Sequence, residues 1–289
     1  MNSEYMSSET NAPGPSPSPS PDPGKWLEYN RANWDERVPI HVDGDFYDLA
    51  SFVAGREALA EFELAEVGDV RGKRLLHLQS HIGTETLGWA RHGAVVTGLD
   101  FSGPAMAAAA SLAERIGVTD SRWFTSDVYD AAETLGGEQF DVVYTGKGAL
   151  CWLPDIERWA RVAASVVKPG GFLYLSEFHP FGNTLREEDG RTVGYDYFDA
   201  SPQVWDEPGT YADSAAATRE NVTIEFNHGL GDIVSALIAA GLRLEFLHEF
   251  DMTMFARYQV LEKRDRFYRL PEGMPRVPLM FSLRASKPV

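Results

Sequence analysis

The stretch Arg74–Ser102, RLLHLQSHIGTETLGWARHGAVVTGLDFS, constrains the fold more than any other part of the chain. Leu75, Leu76 and Leu78 form a short apolar run without helical spacing, as a parallel strand buried on both faces requires. Ile82-Gly83-Thr84 turns the chain into a helix carrying Leu87, Trp89 and Ala90, and Gly93 stops it. Val95-Val96-Thr97-Gly98-Leu99 makes a second strand that delivers Asp100. That acid lies about 20 residues past the loop, the spacing at which a dinucleotide-type βαβ unit sets a carboxylate on ribose hydroxyls. A helix N-terminus and a carboxylate at neighbouring strand ends suit a ligand with a polar sugar between two other parts.

The loop itself lacks the G-x-G-x-x-G fingerprint. Gln79, Ser80 and His81 stand where glycines would let a pyrophosphate approach, and only Gly83 remains at the helix start. A pyrophosphate needs that bare backbone far more than a nucleoside does. An adenosine ligand without phosphates, such as S-adenosylmethionine, is therefore expected over NAD or FAD. Two alternatives stay open, a nicotinamide-dependent oxidoreductase and a non-catalytic Rossmann-like ligand-binding protein; the altered loop supports the second. With these residues the stretch resembles the class I S-adenosylmethionine-dependent methyltransferases.

Composition narrows the partners. With 289 residues and a formal net charge of −17, the chain lacks the clustered Lys and Arg that nucleic-acid or anionic-membrane binding needs. Its single cysteine, Cys151, excludes an internal disulfide, and a reducing cytoplasm is the expected setting. There is no apolar run of membrane-spanning length and no basic-then-apolar leader. His77 and His81 are four apart but straddle a strand end and its loop without a third ligand, so no metal is expected. A soluble monomer or homodimer acting on a small molecule fits this balance.

Residues 1–24, with PGPSPSPSPDPG at their centre, have too little apolar content to offset ordering entropy and are expected to be disordered. Trp26–His41 has the pattern of a helix ended by Pro39, with Asn30, Trp34, Arg37 and His41 stacked on one face. The segment resembles the YxxNRxxWDxRxxxH signature of one bacterial methyltransferase subgroup, matching at Asn30, Arg31, Trp34, Asp35, Arg37 and His41. Leu27 stands where the signature has Tyr, which leaves Trp26 or Tyr29 to supply the ring. The resemblance implies an N-terminal helical lid over residues 25–70, within a methyltransferase domain spanning 25–289.

Further along, a helix is expected over Arg56–Glu66, a helix over Pro104–Ile116, and strands at Arg122–Thr125, Phe140–Tyr144 and Phe172–His179. A KPGG turn at Lys168–Gly171 is frequent in the same family. Lys147 between Gly146 and Gly148 lacks the rest of a phosphate-loop pattern and reads as non-nucleotide. Periodicity fails between residues 180 and about 220, where acids and aromatics mix; a cap insertion over 180–227 is expected to cover the cleft. Leu242–Phe250 and Val277–Ala285 read as the sixth and seventh strands, with no crossover helix between them, so the last should pair antiparallel with the sixth. The expected fold is α/β: a Rossmann-like, doubly wound, seven-stranded sheet, mostly parallel with an antiparallel last strand, plus a lid insertion.

The resemblance implies a cofactor set of Trp34, Arg37, Gln79, Ser80, His81, Gly83, Asp100, Phe101, Ser102, Asp127, Val128 and Thr145. In the resembled fold an acid at Asp127 accepts from the adenine amino group; as residue chemistry, Asp127 is equally good as a helix N-cap. Methyl transfer is an in-line displacement from a sulfonium, with the methyl held about 3 Å from its nucleophile, water excluded and, for some acceptors, a proton removed. Glu177 and His179 leave the fifth strand on one face and are the expected catalytic pair. The structural alternative has Glu177 accepting hydrogen bonds from the lid and His179 capping the turn before Pro180. Tyr29, His41, Trp152, Phe178, Tyr197, Trp205 and His228 are the expected substrate contacts. Aromatics among carboxylates suit a planar, indolic or amine-bearing natural-product intermediate, with methylation at C, N or O left open.

Overall fold

The computed structural model describes residues 22–289, so the tail expected to be disordered lies, through residue 21, outside the described residues. Pro23–Lys25 forms one 3-10 turn capped by the Asp22 side chain. Seven strands build the main sheet: β1 (Arg74–Leu78), β2 (Val95–Asp100), β3 (Arg122–Thr125), β4 (Phe140–Thr145), β5 (Val167–Phe178), β8 (Arg243–Phe250) and β11 (Met280–Ser286). Two small hairpins supply the rest, β6 (Gln203–Asp206) with β7 (Val222–Glu225), and β9 (Glu262–Arg264) with β10 (Phe267–Arg269). The order across the main sheet is β3-β2-β1-β4-β5-β11-β8. β1 through β5 pair in parallel, while β11 runs antiparallel to both β5 and β8.

The expected last strand is thus present and pairs antiparallel with the sixth, here β8, and it lies between β5 and β8. Leu279, Met280, Phe281 and Leu283 are fully buried, which an interior position satisfies. β8 takes the edge, where Arg243, Glu245, His248 and Glu249 leave an outer rim unattractive to a further strand.

Period-two alternation splits the core between the two faces of the sheet. Leu76, Leu78, Val143, Leu173 and Leu283 pack on one face, and Leu75, Val96, Val142, Tyr144 and Tyr174 on the other. The helices are α1 (Trp26–Asp43), α2 (Leu49–Val53), α3 (Glu61–Val67), α4 (Thr84–Arg91), α5 (Gly103–Arg115), α6 (Ala131–Thr134), α7 (Ile156–Val166) and α8 (Leu230–Ala239). α7 and α8 cover the first face, and Trp89 of α4 packs on the second. The α3 start is later than expected because Glu57 and Glu63 each draw a backbone amide, Leu59 N–H and Ala60 N–H, into a turn first. No helix among the described residues is long and apolar enough to cross a membrane.

α1 departs from its expected end. It passes through Pro39 to Asp43, and Gly44 N–H closes it on the Ile40 carbonyl. A proline costs a helix one hydrogen bond and a local clash; here its ring is exposed, and the turn beyond it is held by buried His41. The polar face of α1 has a structural use. Asn30 Nδ2 donates to Ile224 O and its Oδ1 accepts from Ile224 N, both at 2.8 Å, so the side chain pairs with β7 like a neighbouring strand. Asn33 donates to Glu220 O, and the Glu36 carboxylate accepts from Arg219 N and Glu220 N. We expect Asn30→Ala to destabilise the chain by about 2–3 kcal/mol, since it strands two buried backbone groups. Urea unfolding checks this; a change within about 0.5 kcal/mol would remove Asn30 as the clamp.

Candidate active site

The β1–α4 loop turns without the expected glycines by holding two ordinary residues in the left-handed region. Gln79 (φ 59°) and His81 (φ 48°) join Gly83 (φ 78°) there. Such non-glycine positions cost roughly 1 kcal/mol or more each and persist where surrounding bonds over-determine them. The bonds are present. His81 N–H donates to Asp100 Oδ2 at 2.9 Å, Ser80 N–H to Leu99 O, and Gln79 Nε2 to Ala149 O at 2.8 Å. At Gly83 a side chain is barred by packing, since a Cβ would fall 2.7 Å from the Trp123 ring and 2.8 Å from Ala109.

Asp100 ends β2 beneath this loop, 5% exposed. Its Oδ1 accepts from Ser102 N at 3.0 Å, so each oxygen already holds one backbone amide and keeps lone-pair capacity for a second donor. Burial pushes its pKa up to about 6, against the pull of those amides. Ser102 caps α5 and donates from Oγ to Asp35 of α1, which ties the lid helix to the same strand end.

Above Asp100 opens a cleft with about 610 Å³ of space between its walls, open water included. Of the expected residues, Trp34, Gln79, Ser80, His81, Asp100, Phe101 and Trp152 line it. The residues that sequence reasoning left out of the site are Tyr47, His77, Glu85, Gly146–Ala149 and Tyr211. Trp34 meets Trp152 edge-on at 5.4 Å and His81 at 5.0 Å, making an aromatic wall. Tyr47 and Tyr211 close it with a hydroxyl–hydroxyl contact between the lid and the insertion. His41, fully buried, bonds through Nδ1 to His81 Nε2 at 2.8 Å. Burial lowers the pKa of His41 to about 4 and that of His81 well below its usual value, so both are neutral at pH 7.

Three buried polar atoms at the strand ends lack a partner: His77 Nε2, Gln79 Oε1 and Thr145 Oγ1. His77 and Gln79 line the cleft. Unsatisfied buried groups are rare, and a cluster of them beside a cavity marks where a polar ligand belongs. Lys147, also lining the cleft, is already committed to Glu63 at 2.6 Å.

The expected catalytic pair makes structural contacts. Glu177 accepts amides from Gly148, Ala149, Leu150 and Phe178, at 2.5 to 3.1 Å. It therefore staples the β4–α7 loop and does not line the cleft. His179 Nδ1 caps Phe181 N at 3.1 Å and its Nε2 lies 2.9 Å from Glu249, on the far side of the strand end. Both follow the structural alternative, except that the loop after β4, not the lid, supplies the amides. Glu177→Gln should lower stability by about 2–3 kcal/mol, because an amide nitrogen would face backbone donors. Thermal unfolding checks this, and an unchanged midpoint would remove the staple.

The remaining expected residues also stand outside the cleft wall. Asp127 caps the 3-10 turn Val128–Asp130 through Tyr129 N, and Val128 is buried in the core. Tyr29 is half-buried on α1, Phe178 packs on Phe255, and Trp205 is 38% exposed on β6. Tyr197 accepts from Leu230 N, and His228 bonds to Leu153 O. Arg37 lies over the Trp34 ring, Cζ 5.3 Å from its centroid, behind the cleft.

Strand order, the cleft at the strand tips and the buried acid after β2 define a Rossmann-like fold. Residues 76–173 match the family model described as a methyltransferase domain. Residues 76–173 thus carry a methyltransferase domain, and the sheet has the Rossmann-like fold of the class I S-adenosylmethionine-dependent methyltransferases. Among solved structures, it is similar to an S-adenosylmethionine-dependent methyltransferase from Mesorhizobium loti (23% identity, 81% of this chain and 99% of that one, TM-score 0.57). It also resembles the CcbJ methyltransferase from Streptomyces caelestis (14% identity, 90% and 99%, TM-score 0.55). A third likeness is to the magnesium protoporphyrin IX methyltransferase from Synechocystis with bound S-adenosylhomocysteine (16% identity, 91% and 97%, TM-score 0.51). At these identities the likeness carries the fold alone. A search of curated proteins found no match.

Proposed function

We propose that the cleft binds S-adenosylmethionine across the tips of β1, β2 and β4 and serves methyl transfer to a small planar acceptor. The observation that carries this is the pairing of Asp100, buried with spare acceptor capacity, with the orphaned atoms of His77, Gln79 and Thr145. A ribose diol suits the first and an amino-acid moiety the second. The cofactor supplies an electrophilic methyl on a sulfonium; the chain's own groups bind, orient and exclude water. Asp100 would accept from ribose hydroxyls, and Phe101 would flank the adenosine. Net charge along the wall favours a cation, since Glu85 and Asp100 are acidic while Lys147 is paired and the histidines are neutral.

The lid helix and the 180–227 insertion would exclude water by bringing Trp34, Tyr47 and Tyr211 over the methyl. The aromatic wall they form with Trp152 supports a flat acceptor, and its methylated atom follows from which edge faces the cofactor. Titration calorimetry with S-adenosylhomocysteine tests the reading. Micromolar binding is expected, and absence of heat from both that compound and S-adenosylmethionine would overturn it.

A further inference from the structure

The cleft wall holds a carboxylate that pairs with no cation among the described residues. Glu85, in the first turn of α4, lines the cleft half-buried and accepts only the Thr84 hydroxyl, at 3.1 Å. Asp100 is the other acid on that wall, and Lys147, which also lines it, is held by Glu63. Arg37 stands behind the Trp34 ring and is not part of the lining. Low-dielectric walls carrying one sign of charge focus their field into the cleft and draw a counter-charge there. The cofactor does not exhaust that demand. Its sulfonium and ammonium, set against one carboxylate, bring one net positive charge to two unpaired acids. On the reading above, its ribose goes to Asp100 and its amino-acid end to the unpartnered atoms of His77, Gln79 and Thr145. Glu85 is the acid left over.

Its surroundings suit an organic cation. Trp34, Tyr47, Trp152 and Tyr211 line the same cleft as Glu85. The two indoles stand at 90° to each other and form a corner, and the two tyrosines meet through their hydroxyls. Burial chiefly, with the Glu85 charge adding to it, raises both phenol pKa values, so the carboxylate lies within electrostatic reach of both rings. A metal ion would need several ligands here, and no group of three or more His, Cys, Asp or Glu among the described residues could hold one. Aromatic faces beside a carboxylate instead recognise an ammonium carried on an apolar body.

We propose that Glu85 anchors the acceptor and that the acceptor is an aromatic amine bound as its cation, with the ammonium on Glu85 and the ring against Trp34 and Trp152. Neutral phenols and aromatic acids, which the same rings would admit, lack the charge that this carboxylate selects. The assignment rests on the methyltransferase reading and names the substrate class of that site.

Calorimetry on the full chain saturated with S-adenosylhomocysteine tests it with four probes: phenethylamine, 2-phenylethanol, 3-phenylpropionate and hexylamine. Phenethylamine is expected to bind more tightly than each of the others by about tenfold or more, the effect of one hydrogen bond to a charged group. Glu85→Gln should erase its advantage over 2-phenylethanol and keep its advantage over hexylamine, since the rings remain. Glu85→Asp should restore part of the first, and circular dichroism confirms that each variant is folded. Equal binding of phenethylamine and 2-phenylethanol, no binding of any probe, or a preference that persists in folded Glu85→Gln would overturn the anchor. Hexylamine binding as tightly as phenethylamine would overturn the aromatic class. Loss of S-adenosylhomocysteine binding in folded Glu85→Gln would place Glu85 on the cofactor and overturn the proposal as well. A wild-type chain that binds no S-adenosylhomocysteine defeats the methyltransferase reading itself, which separates the two failures.

Discussion

Asp100→Ala is expected to weaken S-adenosylhomocysteine binding by about 100-fold or more. Two hydrogen bonds from ribose hydroxyls to a buried carboxylate contribute roughly 1.5–3 kcal/mol each, and each 1.4 kcal/mol is a factor of ten. The substitution also releases His81 N–H and Ser102 N–H, so the loop loses the bonds that hold its left-handed residues. The pH dependence separates this role from a merely structural one. With a folded pKa of about 6, Asp100 is ionised at pH 7.5 and progressively protonated below pH 6. A protonated acid must spend one oxygen as a donor, and both ribose hydroxyls and both amides need acceptors. Affinity should therefore be level above pH 7 and fall toward tenfold per unit below about 6. Stability runs the other way. The folded pKa lies above the unfolded value near 3.8, so the group's contribution is full below about pH 4 and is lost as pH rises through about 6. Binding that weakens over the interval in which the free protein gains stability would be specific to this acid. A flat affinity from pH 5 to 8 would remove Asp100 from the cofactor contact.

The architecture was legible because it is written in local periodicity. Apolar runs at Leu75–Leu78 and Val95–Leu99, a helix between them and an acid at the second strand end are consequences of neighbours in sequence. Asp100, Gln79, Ser80, His81, Trp34 and Trp152 were found by that route or by the helix signature, and all of them line the cleft. What pattern does not carry is the partner. A carboxylate at a strand tip reads the same whether it lines an open cleft, as Asp100 does, or gathers loop amides, as Glu177 does. Trp205 and Tyr211 look alike within an aromatic insertion, yet only Tyr211 meets the lid, through Tyr47. Asn30 on α1 found its partner in a strand almost 200 residues away, and Glu36 took backbone amides just before that strand. Tyr47 and Glu85 gave no local signal. His77 was weighed only as a metal ligand, although a histidine within an apolar strand run is itself a sign of a polar neighbour such as Thr86.

Lys147→Met is expected to destabilise the chain by about 3–5 kcal/mol, the range for removing one partner of a buried ion pair. Lys147 Nζ lies 2.6 Å from Glu63 Oε1, with the lysine side chain 7% and the glutamate 0% exposed. The same carboxylate accepts the Tyr144 hydroxyl at 2.7 Å and Ala60 N–H at 2.9 Å. It thereby joins the β4 loop, the floor of the cleft and the start of α3. Without the ammonium, Glu63 keeps two neutral donors but no counter-charge, in a place that water does not reach. Glu63→Gln alone should also be costly, since Lys147 would be left facing an amide. The double change Glu63→Gln with Lys147→Met removes both charges, and the amide oxygen can still accept from Tyr144 and Ala60. It should recover to within about 1–2 kcal/mol of the parent, because a buried pair contributes little net stability against an uncharged substitute. In a chain of this size, the single-variant loss corresponds to a fall in midpoint of roughly 5–15 °C. A double-mutant cycle by thermal and urea unfolding reads the coupling directly. Additive losses would mean that the two side chains act independently, and the strut between lid-side helix and cleft floor would have to be sought elsewhere. Recovery in the double variant would show that this lysine, placed between two glycines, holds the floor of the site through charge pairing.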